Sequence, residues 1–179
     1  RDIKKAIHYF QLAADQNHSE AQFILGLIYD EGKYIPQDIN KAIHYYSLAA
    51  NQDHSEAQIN LGLIYDEGKY ISRDINKAIY YYSLAAKKNI PQAQFNLGAC
   101  YYSGQYIPQD INKSIYYFSL AAKQNFPEAQ YNLGIIYFKG IDIKRGIYLI
   151  TQSSNNDFIQ AHFSLGFLYQ EGKYMKRNI

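Results

Sequence analysis

The sequence predicts an all-α protein, a right-handed α-solenoid of stacked antiparallel helix pairs with about ten helices. Three observations lead to this prediction. A block of 36 residues recurs along the 179-residue chain, and each block holds two apolar stripes with helical spacing. The same residue types stand at the ends of these stripes in successive blocks. A helix pair of this size cannot bury its apolar faces alone, so successive pairs must stack on one another.

The repeat is visible in glycines and aspartates that are each spaced 36 residues apart: Gly26, Gly62, Gly98 and Gly134, and Asp2, Asp38, Asp74 and Asp110. We therefore expect one solenoid over 1–179, with a leading second helix at 1–18, full repeats at 19–54, 55–90, 91–126 and 127–158, and a further first helix at 159–179. The fourth repeat is shorter, because Asp142 follows Asp110 by 32 residues. Since the chain starts and stops within a repeat, we expect it to be a segment of a longer protein.

The first helix of each repeat carries an apolar stripe at helical spacing, which includes Ala21 and Leu25 in the first full repeat. Ser19, three residues before Gln22, predicts a capping box at the start of this helix. Gly32 is expected to end it, because glycine adopts the left-handed cap conformation without a Cβ penalty.

The second helix is expected to begin after Asp38, whose carboxylate can accept backbone N–H groups as an N-cap. Its buried stripe includes Ala42 and Tyr46. Asp53 is expected to end it, since Asp and Asn tolerate the left-handed conformation. Lys41 follows the capping aspartate by three residues, so a local ion pair is favoured over the alternative of phosphate or RNA binding.

The full pattern, A-x-x-x-L-G-x-x-Y-x-x-G followed by D-x-x-K-A-x-x-Y-[YF]-x-x-A-A, resembles the Sel1-like repeats (SLR), which are relatives of the tetratricopeptide repeats. It recurs over nearly the whole chain, and in the first full repeat it is carried by Ala21, Leu25, Gly26, Tyr29, Gly32, Asp38, Lys41, Ala42, Tyr45, Tyr46, Ala49 and Ala50. The resemblance implies adaptor and scaffold work, in which the repeats bring proteins together. Some family members are joined to protein kinase domains.

In similar repeat families, the face of the first helix opposite its buried stripe lines a concave groove. We expect a peptide or protein to bind there, because asparagines one repeat apart can bond the main chain of a ligand and aromatic rings add contact area. The alternative is that the aromatic rings pack on the next repeat and the asparagines bond local backbone. The candidate contact residues are Phe23, Phe95, Tyr102, Tyr131, Phe138 and Phe163, the asparagines Asn60, Asn96 and Asn132, and the acidic residues Glu20, Asp30, Glu56 and Asp66.

No group of residues outside the repeat pattern forms a candidate site for catalysis or metal binding. Cys100 is the single cysteine, so an intramolecular disulfide and a four-thiolate metal site are excluded. We expect no enzyme activity, no cofactor and no metal. The formal charge of +2 argues against nucleic acid as a partner. No apolar run approaches the roughly 20 residues of a membrane span, so no membrane insertion is expected; the oligomeric state and the compartment are left open.

Three functional hypotheses remain. The first is a non-enzymatic scaffold or adaptor that binds a peptide or protein in its concave groove. The second is a regulatory or targeting array of a larger enzyme, for example a protein kinase, whose catalytic domain lies outside this segment. The third is an architectural component of a large assembly. The first is favoured, because the recurring residues form faces for packing and binding and include no catalytic constellation.

Overall fold

The computed structural model describes residues 2–172, which form ten α-helices and, over that range, no β-strand. The chain divides into two compact units, residues 1–88 and 89–179, and consecutive helices pack against one another within each unit. The N-terminal unit holds α1 (Ile3–Ala14), α2 (Ser19–Glu31), α3 (Ile39–Ala50), α4 (Ser55–Glu67) and α5 (Ile75–Lys87). The C-terminal unit holds α6 (Pro91–Ser103), α7 (Ile111–Ala122), α8 (Pro127–Ile136), α9 (Ile143–Asn155) and α10 (Ile159–Glu171). The predicted all-α fold of stacked helix pairs is confirmed.

The second helices begin where the sequence predicts. Each capping aspartate accepts the backbone N–H of the residue three positions later, with Oδ1···N distances of 2.9–3.1 Å. Such a bond satisfies one of the N–H groups that the first turn of a helix leaves without a partner. These caps are Asp2, Asp38, Asp74, Asp110 and Asp142.

The first helices begin differently, and the predicted serine capping boxes are wrong. The caps of α2 and α4 are His18 and His54, whose Nδ1 atoms accept the N–H groups of Ala21 and Ala57 at 3.2 and 3.3 Å. Histidine Nδ1 is bonded to Cγ, as is the Oδ1 of aspartate, so it has the same reach to the first turn. Ser19 is already the first helical residue of α2.

The helix ends follow the prediction. Gly32, Gly68, Gly104 and Gly172 end first helices with φ of 63–64°. After the second helices, an asparagine or aspartate takes the left-handed conformation with φ of 59–64°, at Asn17, Asp53, Asn89, Asn125 and Asp157. Within each unit, these turns reverse the chain between consecutive helices, except between α8 and α9, and so produce the antiparallel pairs.

A glycine in each of the first three complete helix pairs lies against a buried aromatic ring of the partner helix. A Cβ atom on this glycine would come within 3.0 Å of three ring atoms. The missing side chain is therefore what allows the ring to fit between the two helices. The pairs are Gly26 with Tyr46, Gly62 with Tyr82, and Gly98 with Phe118.

Buried glutamines in the first helices form polar links along each unit. In α2, Gln22 Nε2 donates to the carbonyl of Ala14 at 3.1 Å, and Gln22 Oε1 accepts from Gln52 Nε2 at 2.7 Å. In the C-terminal unit, Gln124 donates to Gln94 Oε1 at 2.9 Å, and Asn156 donates to Gln130 Oε1 at 3.0 Å. Each such glutamine connects its helix to the end of a second helix.

The structure of the fourth repeat differs from that of the others, and its shortened sequence predicts only part of this difference. A π-helical turn at Tyr137–Ile141 follows α8, and Gly140 within it has a φ of 152°. Ile150 replaces the buried aromatic ring, and the two helices approach backbone to backbone instead. A Cβ on Gly134 would lie 3.0 Å from the carbonyl oxygen of Gly146.

Candidate functional site

Two of the aromatic side chains predicted for the first-helix face pack against other side chains of the protein. Phe23 stacks on the ring of His54 with centroids 4.5 Å apart, and Phe95 packs against Phe118 and Phe126 at 5.6 and 5.4 Å. Contacts of this kind with the following helices fix the orientation of the rings. They leave each ring only partly exposed.

The three predicted asparagines all bond within the protein. Asn60 hydrogen-bonds the Tyr46 hydroxyl, and Asn132 Nδ2 donates to the carbonyl of Glu128 at 2.9 Å. Asn96 is buried, and its Oδ1 accepts from Gln92 Nε2 at 3.0 Å. Its Nδ2 has no hydrogen-bond partner among the described residues.

The acidic residues of the N-terminal unit differ in their surroundings. Burial, more than the neighbouring carboxylates of Glu67 and Glu31, raises the pKa of Asp30, whose Oδ2 accepts a hydrogen bond from the Tyr46 hydroxyl at 3.2 Å. Asp66 is paired with Arg73 at 2.5 Å. The negative charge of Asp66 is therefore largely balanced, whereas that of Asp30 is not.

His54 connects the two predicted glutamates. Its Nε2 lies 3.1 Å from Glu20, and its Nδ1 lies 3.4 Å from Glu56. Because Nδ1 accepts the N–H of Ala57, the ring proton is assigned to Nε2, which donates to Glu20. In this tautomer Nδ1 makes no hydrogen bond to Glu56, whose side chain is exposed.

A small cleft of about 150 Å³ opens on the first-helix face of the N-terminal unit. Its charged groups include two carboxylates and one lysine. A hydrogen bond from Lys69 lowers the pKa of the exposed Tyr70 hydroxyl at its edge. The lining residues are Asp30, Asn60, Leu63, Ile64, Glu67, Lys69 and Tyr70.

The C-terminal unit carries a larger and more apolar cleft of about 540 Å³ between α8 and α10. It brings together the predicted residues Tyr131, Phe138 and Phe163. Phe163 and Phe167 are 69% and 51% exposed and meet edge to face with centroids 4.9 Å apart. The other described lining residues are Ile135, Ile150, Ser164, Leu168 and Glu171, and Glu171 alone among them is charged.

Ile135 and Phe167 are two of the six lining residues of this cleft that are absent from the predicted set. Both occupy the position of Leu27 in the repeat, one helical turn after the aromatic position of Phe23. Aligning the repeats at that position was the signal that would have found them. Tyr102 is not in this cleft, since it lines a separate depression of about 280 Å³ with Ile136 and Lys139.

The lysines of the second helices have the local role that their spacing predicts. Lys5, Lys41, Lys77 and Lys113 each lie 3.6 Å from the capping aspartate of the same helix. Three of them also lie over a tyrosine ring of the preceding first helix, with Nζ 4.8–5.0 Å from the centroid. Residue spacing does not predict this second contact, which needs the antiparallel packing of the two helices.

Over residues 2–172, no group of three or more His, Cys, Asp or Glu side chains could hold a metal ion. Cys100 is buried in α6. Among the described helices, none combines the length and the apolar character that a membrane span requires.

Comparison with known proteins identifies one family of repeat proteins. The Sel1 repeat model matches residues 1–18, 19–54, 55–90, 91–126, 127–157 and 159–179. A search of curated protein sequences gives no significant match.

Solved structures agree with this assignment. The chain is similar to c5321, a protective antigen of uropathogenic Escherichia coli with an SLR fold, at 30% identity and a TM-score of 0.89, over 96% of this chain and 38% of that one. It is also similar to a Sel1 repeat protein from Oxalobacter formigenes, at 30% identity and a TM-score of 0.86, over 97% and 73% of the two chains. The immunity protein PA5088 from Pseudomonas aeruginosa, at 17% identity and a TM-score of 0.56 over 91% and 61% of the two chains, shares the fold alone.

Sel1 repeat proteins generally mediate protein–protein interactions and are typically non-enzymatic. Six consecutive matches cover nearly every residue, and the helix pairs have the packing that the repeat motif requires. The chain belongs to the Sel1 repeat family.

Proposed function

We propose that this chain is a non-enzymatic interaction module that binds a peptide or protein segment on the first-helix faces of its repeats. The observation that supports it best is the 540 Å³ cleft between α8 and α10, where, among residues 2–172, Phe163 and Phe167 are exposed beside Tyr131 and Ile135. Exposed apolar surface of this kind is typical of protein-binding sites, because burying it against a partner releases water from large aromatic side chains.

The chemistry of the two units indicates what a partner must carry. The cleft of the C-terminal unit suits an apolar side chain, since Glu171 is the single charged residue among its described lining residues. The first-helix face of the N-terminal unit suits a basic side chain, since Asp30 and Glu67 line its cleft. Glu56, which belongs to the same helix as Glu67, is also exposed. An apolar segment therefore fits the C-terminal unit and a basic segment the N-terminal unit, each better than an acidic one.

The predicted contact residues have different roles in this proposal. Tyr131, Phe138 and Phe163 supply the contact area of the apolar cleft. Asn60, Asn96 and Asn132 support the first-helix face through bonds within the protein. Phe23 and Phe95 contribute their exposed edges.

Selection from a displayed library of random peptides about 12 residues long tests the proposal, since a segment of that length spans several side-chain pockets. We expect enrichment of sequences with aromatic or aliphatic residues together with Lys or Arg. Their binding should fall at least about tenfold in the variant Phe163→Asp/Phe167→Asp, because two anchor side chains are lost.

The matched control is Tyr9→Asp/Tyr116→Asp, which places the same charge on exposed tyrosines of second helices. This control should bind the selected peptides as the unmodified chain does, with the same helical circular dichroism in all three proteins. Equal binding by the Phe163→Asp/Phe167→Asp variant would contradict the assignment of the site. Loss of binding in the tyrosine control alone would place the site on the second helices instead.

A further inference from the structure

A second kind of cleft lies between the second helices α7 and α9 of the C-terminal unit. Its volume is about 290 Å³, and it shares no lining residue with the two first-helix clefts of the same unit. Leu133 and Gln130 of α8 are its buried residues, and Tyr148 stands beside it with 61% of its surface exposed. The remaining lining residues are Ser119, Ala122, Lys123, Asn125, Arg145, Leu149 and Gln152.

The cleft exists because Leu149 occupies a position that is tyrosine in the three preceding repeats. In those repeats the phenol ring reaches the previous second helix. Tyr45 donates to Gln11 Oε1 at 2.6 Å, and the Tyr81 hydroxyl bonds Ser47. Ser119 is the residue of α7 that corresponds to Ser47, and it lines the cleft. Leu149 therefore leaves the space of a phenol ring open, and it provides no hydroxyl group to bond the Ser119 hydroxyl.

The charges at this cleft are positive. Lys123 and Arg145 line it, and no carboxylate does. Lys77 and Lys113, which correspond to Arg145, are paired with their capping aspartates at 3.6 Å. Asp142 accepts only the backbone N–H of Arg145, at 3.0 Å. Among residues 2–172 no carboxylate forms an ion pair with the Arg145 guanidinium, which lies 4.4 Å from the centroid of the Tyr137 ring.

We propose that the cleft between α7 and α9 binds a small aromatic anion, a single ring that carries a carboxylate. The ring takes the place of the missing phenol against Leu133, Leu149 and Ala122. A ring hydroxyl reaches Ser119, as the tyrosine hydroxyls of earlier repeats reach their own partners. The carboxylate faces Lys123 and Arg145, where a charge-assisted hydrogen bond is stronger than a neutral one.

The size of the cleft agrees with this ligand class. An apolar cavity of about 150 Å³ is enough to hold benzene. The cleft of about 290 Å³ is nearly twice as large. It therefore has room for one ring with a short acidic substituent.

Titration calorimetry with 4-hydroxyphenylacetate on the full 179-residue chain tests the proposal. We expect a dissociation constant at or below about 1 mM, weaker binding of p-cresol, which lacks the carboxylate, and no measurable binding of acetate, which lacks the ring. No heat with 4-hydroxyphenylacetate up to about 10 mM would overturn the proposal. Acetate binding as tightly as 4-hydroxyphenylacetate would overturn it as well.

The decisive variant is Leu149→Tyr, which fills the cleft with the side chain that three other repeats carry at this position. It should fold at least as stably and bind 4-hydroxyphenylacetate at least about tenfold more weakly. Undiminished binding would refute the location. Lys123→Gln/Arg145→Gln keeps the cleft open and should weaken 4-hydroxyphenylacetate about tenfold while leaving p-cresol unchanged. An equal loss for both probes would refute the role of the two cations.

The N-terminal unit offers a matched control for the charges. Tyr81→Leu in the Leu149→Tyr background opens the corresponding space between α3 and α5, where Asn51 and Asp53 correspond to Lys123 and Asn125. This variant should not regain 4-hydroxyphenylacetate binding, because Asp53, which is paired with Lys88, places a carboxylate at the position of the Asn125 amide, and Asn51 stands at the position of Lys123. Recovery of the original affinity would contradict the proposal, because it would show that a ring-sized space alone is enough to bind 4-hydroxyphenylacetate. Peptide binding on the first-helix faces is not expected to change in any of these variants, so failure here is distinguishable from failure of the proposed function.

Discussion

The substitution Lys88→Gln should stabilise the protein, because it completes a polar link that one repeat lacks. Gln22, Gln94 and Gln130 each accept a hydrogen bond at Oε1 from a glutamine or asparagine at 2.7–3.0 Å. Gln58 is the corresponding residue of the second full repeat; it is fully buried, and its Oε1 has no partner. Lys88 stands where the donor should be, and it binds Asp53 instead.

The expected gain follows from two opposing effects. A buried acceptor without a partner costs about 1–3 kcal/mol, and satisfying it recovers much of that free energy. The Lys88–Asp53 ion pair is lost, but Asp53 is 83% exposed, and such surface pairs contribute about 0–1 kcal/mol. The net stabilisation is therefore about 1 kcal/mol, which in a domain of this size raises the Tm by roughly 2–4 °C.

Urea and thermal unfolding followed by circular dichroism measure this effect. Lys88→Met separates the two contributions, because it removes the ion pair without supplying a donor, and it should be less stable than the unmodified chain by up to about 1 kcal/mol. Lys87→Gln is the matched control for charge and should change stability by less than about 0.5 kcal/mol. The reasoning is refuted if Lys88→Gln is no more stable than Lys88→Met.

Three further predictions concern other elements of the repeat. Gly98→Ala should destabilise the protein by about 1–3 kcal/mol through contact with the Phe118 ring, whereas Gly166→Ala, whose Cβ would meet no atom of residues 2–172 within 4 Å, should stabilise it by about 0.5–1 kcal/mol; equal effects on the Tm would contradict the packing account. Asp74→Ala removes the N-cap of α5 and should cost about 1 kcal/mol in urea unfolding; Asp74→Asn, which keeps an acceptor, should cost less. Burial raises the folded-state pKa of Asp30 above 3.8, so folding opposes its ionisation and stability falls as the pH rises through that raised pKa; Asp30→Asn should lose this component of the pH dependence, and identical pH profiles of the Tm would count against it.

Much of the fold is predictable from local sequence signals. The aspartate caps, the glycine ends and the left-handed asparagine and aspartate turns all depend on residues within a few positions of each other. The recurrence of these signals removes ambiguity, because an assignment made for one repeat is repeated in the next. The histidine caps were missed because serine is the more common capping residue and stands directly beside His18 and His54.

The candidate site is less predictable, because it depends on contacts between helices far apart in sequence. Asn96 and Asn132 bond residues four positions earlier in their own helices, as the local alternative expects, whereas Asn60 bonds Tyr46 of another helix, which helical spacing does not show. The cleft at Leu149 is visible only when tyrosines from three other repeats show what side chain is missing. The buried glutamine links likewise involve residues up to 30 positions apart.

The backbone contact of Gly134 with Gly146 means that the helices of this chain are not interchangeable parts. The partner of Gly26 is a tyrosine ring, whereas the partner of Gly134 is the far smaller Ile150, with a glycine backbone closing the remaining distance. A recombination event that joined α2 to α9 would leave a void beside Gly26, and one that joined α8 to α3 would force a ring into space that does not exist. A viable duplication must therefore copy both helices of a pair together, which makes the intact pair the unit in which this array can grow or shrink.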